Sequence, residues 1–464
     1  MRSWTKKLFL GAISTIVSVG IIVLPFLIFI KPNNKFIFGN FQSYISDDVK
    51  AEMREKYDIN RQYYGSNEEI PTFIQNGTMD IAVATNDMIA KLVIEDRIEP
   101  IPWGEFNITK SDGTKVNSYK DLQGFVTDAV WQIGQEFAEA INLKDPDNPD
   151  QVGNLLEYCV PYFMQTFTFA YRGPEIPASE IGTDPSYADI FNYISKSDYF
   201  NSKPSAVMMI DDSARSIYDV GRIVGGETNI NPSVGRLTMD GVSSTAVSVN
   251  EASKTFDNIS NYYKTGTNTI TFNEDPSIIL NKIALNQSYG AFLYNGDSIY
   301  AAMGGDNPEG TPNLPNFDGE PDFHVIVPTM NFFAMDGLVI NKKMNPAKKE
   351  KAINIIKDLC LSGLNYGENV SETDADGNYV YLATENFGYV NYTPCYEGLY
   401  EYATSKDSDG YFPSIYDNQN LIDTLVKLIS INADNISQNN IELPLNDVSN
   451  SNISLAYLEF KNNL

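Results

Sequence analysis

Short apolar runs bounded by turn residues alternate along this chain with segments whose apolar positions recur every three or four residues. The first kind predicts buried strands and the second amphipathic helices. Residues 36–41, Phe-Ile-Phe-Gly-Asn-Phe, read as a strand that ends in a turn. Residues 47–57 read as a helix with Ser46 as its N-cap, because a serine hydroxyl can accept from a first-turn N–H. A strand at 60–64, a helix at 70–75 stopped by Asn76-Gly77, a strand at 79–84 and a helix at 88–95 follow. The alternation returns later as strand 206–210, helix 214–224, strand 290–294 and helix 347–361. Strands alternating with helices predict parallel βαβ units and therefore an α/β fold. Three stretches read as insertions: 107–149, with a helix within 125–141; the Ser/Val/Gly-rich 229–249; and the Pro/Gly/Asn-rich 306–322.

The longest apolar run departs from both patterns. Residues 8–30 carry no charge, and at about 1.5 Å per residue they reach roughly 34 Å, enough to cross a ~30 Å hydrocarbon layer. Arg2, Lys6 and Lys7 precede the run, which places the stub in the cytoplasm and the body outside. The run is longer than a signal-peptide core, and no small-x-small site closes it before Lys31. These features predict an uncleaved signal anchor: one N-terminal transmembrane helix within residues 1–35. No cysteine lies near residue 30, which excludes a lipid there.

A length of 464 residues is too great for a single core and implies two or three domains. The net charge is −27, and residues 1–35 contribute five cations and no acid, so the body is more acidic still. Such a surface repels nucleic acid and favours cationic partners. Cys159, Cys360 and Cys395 form no CxxC pair, so neither a disulfide framework nor a zinc site is implied. The single histidine, His324, stands in the apolar run Phe-His-Val-Ile-Val, where a structural role is expected.

Catalytic signatures are missing: GxSxG, HExxH, a P-loop and a GxGxxG in a strand–helix context do not occur. Asp374, Asp376, Asn378 and Glu385 have calcium-loop spacing, but Tyr379 occupies the position that needs glycine. A hairpin turn at Asp376-Gly377 before a strand at 379–382 accounts for the segment better. No enzyme activity, cofactor or metal is therefore expected.

Several blocks, in consistent order from about residue 36 to 394, resemble the bacterial spermidine/putrescine-binding proteins of polyamine ABC transporters. They include Phe38-Gly39-Asn40-Phe41-Gln42-Ser43-Tyr44, Tyr64-Gly65-Ser66-Asn67-Glu68-Glu69, Val160-Pro161-Tyr162, Ser186-Tyr187-Ala188-Asp189, Met208–Arg215, Phe292-Leu293-Tyr294-Asn295-Gly296 and Phe333-Ala334-Met335-Asp336-Gly337. The resemblance implies a two-lobed periplasmic-binding-protein type II-like fold with hinge crossings, closing on a ligand between the lobes. One lobe would be 36–167 plus 337–394, and the other 168–336 plus 395–464. It also implies a small cationic ligand, a polyamine, and ABC permease subunits as partners, with the body on the extracytoplasmic face of the cell membrane.

Carried over residue by residue, the resemblance assigns ligand contacts to Phe41, Tyr44, Thr85, Asp87, Asp212, Tyr294 and Asp336, and to a late tyrosine, Tyr392 or Tyr389. Polyamine recognition needs carboxylates for the ammonium groups and aromatic faces for the methylenes, and this set supplies both. The chain departs from the pattern at three places. Ala334 replaces a tryptophan beside Asp336, and Ser213 and Ser216 stand where two acids are usual, with Asp211 and Asp212 nearby. The alternatives are another small solute on the same scaffold, such as a metal ion or a thiamine-like cation, an adhesion ectodomain, or a surface hydrolase.

Overall fold

The computed structural model describes residues 35–42, 44–203, 207–210, 213–263, 270–273, 275–285, 287–302 and 323–463. The expected transmembrane segment at 8–30, the 306–322 insertion and Asp212 lie outside these residues. Among the described residues no helix is long and apolar enough to cross a membrane.

Thirteen strands are described: β1 (Phe36–Phe41), β2 (Ile59–Tyr64), β3 (Ile81–Thr85), β4 (Ile98–Glu99), β5 (Val160–Arg172), β6 (Val207–Ile210), β7 (Leu237–Thr238), β8 (Gly241–Val242), β9 (Ile270–Asn273), β10 (Gly290–Tyr294), β11 (Phe323–Ile326), β12 (Phe333–Asn341) and β13 (Thr393–Pro394). Apart from the β7–β8 pair they form one curled sheet in the order β2-β1-β3-β12-β5-β10-β6-β9, with β4, β11 and β13 attached at its sides. The expected βαβ units are present. β1 runs parallel to β2 and β3, and β6 runs parallel to β9 and β10. This is a mixed α/β fold in two strand groups.

β5 joins the groups. All 13 of its residues are buried, as a strand covered on both faces requires. Its first half pairs with β12 (Phe333 opposite Thr166), and its second half pairs with β10 (Tyr294 opposite Phe167). β13 adds a third crossing, with Thr393 opposite Met164. The buried Asn295 side chain ties these crossings together: it accepts from Thr166 N and donates to Thr393 Oγ1 and the Leu428 carbonyl.

Several sequence expectations need adjustment. The helix expected at 347–361 continues as an α-helix only over Lys349–Ile356 and finishes as a π-turn at Lys357–Leu361. The turn at Asp376-Gly377 forms, with a Thr373–Tyr379 bridge, but no strand follows it. Leu382 instead opens the helix Leu382–Val390, where Leu382, Ala383, Asn386, Phe387 and Val390 pack inward. His324 lies on β11, its ring stacked on Tyr171 and its Nε2 3.0 Å from the Gly173 carbonyl, a structural setting.

Candidate functional site

The carboxyl ends of the parallel strands in the two groups face one another, the usual ligand crevice of open α/β sheets. A cavity of about 200 Å³ lies there. That is more than ten times the space that one water molecule needs. The first group contributes Phe41, Gln42, Tyr44, Tyr64, Asn67, Thr85 and Asp336. The second contributes Ile210, Ser213, Ser216, Asp275, Tyr294, Asp297 and Glu442.

Asp336 is the best-defined acid. It sits mid-strand on β12, opposite Thr85 of β3, at a register shift against β5 between residues 336 and 337. Such irregularities re-aim side chains beside functional sites. Its carboxylate is 1% exposed. Oδ2 accepts from the Tyr44 hydroxyl at 2.7 Å and from Gln165 Nε2 at 3.1 Å, while Oδ1, also buried, accepts no hydrogen bond. Burial raises its pKa to about 6, against the opposing pull of the Tyr44 hydroxyl.

The groups around Asp336 are themselves fixed. Tyr162 donates to the Tyr44 carbonyl, and Asn386 bridges Tyr162 to Ser46 N, so the loop after β1 is pinned. Asn67 holds Thr85 through both its backbone N–H and its hydroxyl. The rings of Tyr44 and Tyr392 meet edge to face at 5.3 Å, and those of Phe41 and Tyr64 at 4.9 Å. Tyr392 donates to Asp297 Oδ2 at 2.8 Å, and burial raises the Asp297 pKa to about 7.

The opposite wall contains a cluster of charge. Glu442, 6% exposed, accepts from the Ser216 hydroxyl at 3.0 Å. Behind it Arg215 donates through Nε to both oxygens of Asp219, through Nη1 to the Leu443 carbonyl and through Nη2 to Asn231 Oδ1. Burial pushes the Asp219 and Glu442 carboxyls up, with Arg215 opposing. Asp87 belongs to this cluster: burial and then the charges of Glu442 and Glu68 hold its pKa well above the usual range, and its Oδ1 has no hydrogen-bond partner.

Six of the residues named from the sequence line the cavity: Phe41, Tyr44, Thr85, Tyr294, Asp336 and Tyr392. Asp87 and Tyr389 are not among the lining residues. Sequence reasoning missed Asp275, Asp297 and Glu442. Asp275 caps the helix Pro276–Ala284 through Ser277 N, and Asp297 is in the first turn of the helix Asn295–Ala302. Acids at helix starts that follow strand ends were the available signal. Glu442 offered none, because the segment that carries it has no local pattern.

Among the described residues four carboxylates therefore line one cavity, and none of its lining residues is Lys, Arg or His. The starts of the helices Ala214–Val224, Pro276–Ala284 and Asn295–Ala302 also supply lining residues. Each such helix end carries roughly half a positive charge. Among the described residues no group of three His, Cys, Asp or Glu side chains is placed to hold a metal ion.

Solved structures and a family model are similar to this chain. A structure from Listeria monocytogenes, described as a spermidine/putrescine ABC transporter protein, is similar over 92% of this chain and 99% of its own, with a TM-score of 0.52 at 15% identity. The spermidine/putrescine substrate-binding protein PotD of Streptococcus pneumoniae gives a TM-score of 0.47 at 16% identity, covering 92% and 98%. UgpB of Mycobacterium tuberculosis, in complex with glycerophosphocholine, gives 0.49 at 11%, covering 93% and 99%. At 15% identity the likeness to the Listeria structure shows a shared fold. No curated protein matches by sequence. A family described as hypothetical lipoprotein, MG045 family, matches residues 7–422, and the chain belongs to that family.

Proposed function

We propose that this chain is a non-enzymatic, extracytoplasmic solute-binding protein that captures a polyamine, such as spermidine or putrescine, and presents it to an ABC permease. The observation that carries the reading is a cavity lined by Asp275, Asp297, Asp336 and Glu442 with no cationic side chain among its described lining residues. A buried carboxylate oxygen without a donor, such as Asp336 Oδ1, is costly unless a cation or a proton meets it. The aromatic rings of Phe41, Tyr44, Tyr64, Tyr294 and Tyr392 give a methylene chain apolar faces and an ammonium group negative ones. The fold shared with the Listeria protein supports the same reading. Residues 8–30 would tether the body to the membrane. The lobes are the group of β1–β4, β12 and β13 and the group of β6 and β9–β11, moving about the crossings between them.

Calorimetric titration with spermidine tests the proposal. The wild type is expected to bind, and Asp336→Asn to bind about ten- to a hundredfold more weakly, since a hydrogen bond to a charged group is worth about 1.5–3 kcal/mol. Small-angle scattering should show compaction with ligand. Absence of spermidine and putrescine binding to the folded wild type would refute the assignment.

A further inference from the structure

The 229–249 stretch, which reads as an insertion in the sequence, reaches from the second strand group to the first. Its β7–β8 hairpin turns through Met239 and Asp240 and lies against two helices of the first group, Asn86–Ile94 and Asp128–Ile141. The last carbonyls of a helix have no partner within it. One of these, at Ile141, accepts from Met239 N at 2.8 Å. The next residue, Asn142, caps the helix in a left-handed conformation and donates its side-chain amide to Asp240 Oδ2. The hairpin tip thus holds the end of this helix through both its main chain and a side chain.

The base of the hairpin is fixed in the second group. Leu237 N donates to the Pro444 carbonyl at 3.0 Å, and Asn446 N to the Gly235 carbonyl at 2.7 Å. The Asn446 side chain donates to the Ser243 and Thr245 carbonyls. The insertion and the C-terminal segment are therefore one unit. That unit continues as the helix Asp447–Asn463, which packs on the helices Ala214–Val224 and Val249–Tyr263. A second tie leaves from the first residue of this helix. Asp447 Oδ1 lies 2.5 Å from Nζ of Lys91, which belongs to the helix Asn86–Ile94 of the first group. Lys91, Asn142, Met239, Asp240 and Asp447 are not among the residues that line the cavity.

We infer that the hairpin tip and the Lys91–Asp447 pair form a clasp between the lobes, and that the clasp sets how much of the ligand-free protein is closed. Closing an empty cleft brings Asp336 toward Asp275, Asp297 and Glu442, and ionised carboxylates repel one another. The clasp supplies attraction outside the cavity, where no ligand is needed. It parts when the helices of the first group move away from the C-terminal unit of the second, which is the motion that opens the cleft. Asp447 is largely exposed, and exposed ion pairs contribute little, so the clasp is weak. A weak clasp favours closure without trapping the ligand. The clasp rests on the lobe motion proposed above, but not on the identity of the ligand.

Small-angle scattering of the ligand-free protein tests the clasp. Lys91→Glu sets one acid against another, and Asp240→Ala removes the acceptor of Asn142, so the double variant weakens both ties. Without ligand it is expected to have a larger radius of gyration than the wild type, and with saturating spermidine the same radius. Its affinity for spermidine should fall about three- to tenfold, because less of it is closed before binding. Adding Asp447→Lys rebuilds the ion pair in reversed order, and the radius should return toward the wild-type value, which a folding defect would not do. A double variant that unfolds more easily but keeps the wild-type radius and affinity would show that these contacts serve folding alone, and overturns the clasp. Compaction of the wild type on spermidine would then leave the proposed function in place. A double variant that expands, beside a wild type that does not bind spermidine, supports the clasp and refutes the polyamine assignment.

Discussion

The two walls of the cleft hold their acids by opposite means. On β12, Asp336 meets no cation among the described residues: Tyr44 and Gln165 donate to one of its oxygens, and the other accepts no hydrogen bond. On the facing wall Glu442 stands in a network with a built-in counter-ion, Arg215, and three further acids nearby. The lone carboxylate costs stability when ionised and gains most from a ligand. The networked one also helps to join the helix Ala214–Val224 to the C-terminal segment, so its charge serves folding as well as binding. Substitutions on the two walls should therefore separate these roles.

The largest difference is expected at Arg215. Arg215→Ala removes the guanidinium that donates to Asp219 and leaves Asp219 and Glu442 buried without it. Removing one partner of a buried ion pair costs about 3–5 kcal/mol. Urea unfolding should show a loss of that size, and a loss below about 1 kcal/mol would mean that the network does not stabilise the wall. Asp336→Asn, tested in the same way, should leave the empty protein as stable as the wild type or more so.

The contrast also explains what the sequence could disclose. The βαβ alternation was readable because each strand is a short apolar run closed by a turn. Asp336 was readable because a carboxyl group between Met335 and Leu338 has no place in a buried strand unless something meets it. Glu442 contacts Ser216 across 226 residues, and no propensity or spacing links such positions. The strand expected at 379–382 failed for a related reason. Its Val-Tyr-Leu run suits a strand locally, but packing of Phe387 and Val390 inward selects a helix from Leu382.

A smaller effect should appear with pH. The Asp336 pKa of about 6 in the folded protein lies above the ordinary 3.8, so between these values the native state holds a proton that the unfolded chain has lost. Stability of the empty protein therefore falls as pH rises through this window, and the contribution of this group at pH 5 exceeds that at pH 7.5 by about 1.4 kcal/mol. Spermidine should reverse the trend, because a bound ammonium favours the carboxylate, and affinity should decline as pH drops below about 6. Denaturation at the two pH values, with wild type and Asp336→Asn compared, isolates the contribution of this carboxyl group. An equal pH dependence in both proteins would assign it to other groups.

The smallest expected effect concerns the aromatic side of the first wall. Phe41 is partly exposed in the cavity, its ring edge-to-face with Tyr64 at 4.9 Å and with Tyr44 at 6.1 Å. It makes no hydrogen bond through its side chain, so its contribution to binding can come only from apolar contact and from the attraction of its ring face for a cation. Phe41→Leu keeps the apolar bulk and removes the ring. The aromatic part of such a contact is worth about 0.5–1 kcal/mol at a partly open site, so spermidine affinity should fall by only about two- to fivefold. The loss should be equal for Phe41→Leu introduced into the wild type and into Glu442→Gln, because the two positions lie on opposite walls and share no hydrogen-bond partner. A loss that vanishes in the Glu442→Gln background would mean that the ligand touches Phe41 only when Glu442 anchors its other end, joining the walls through the ligand itself.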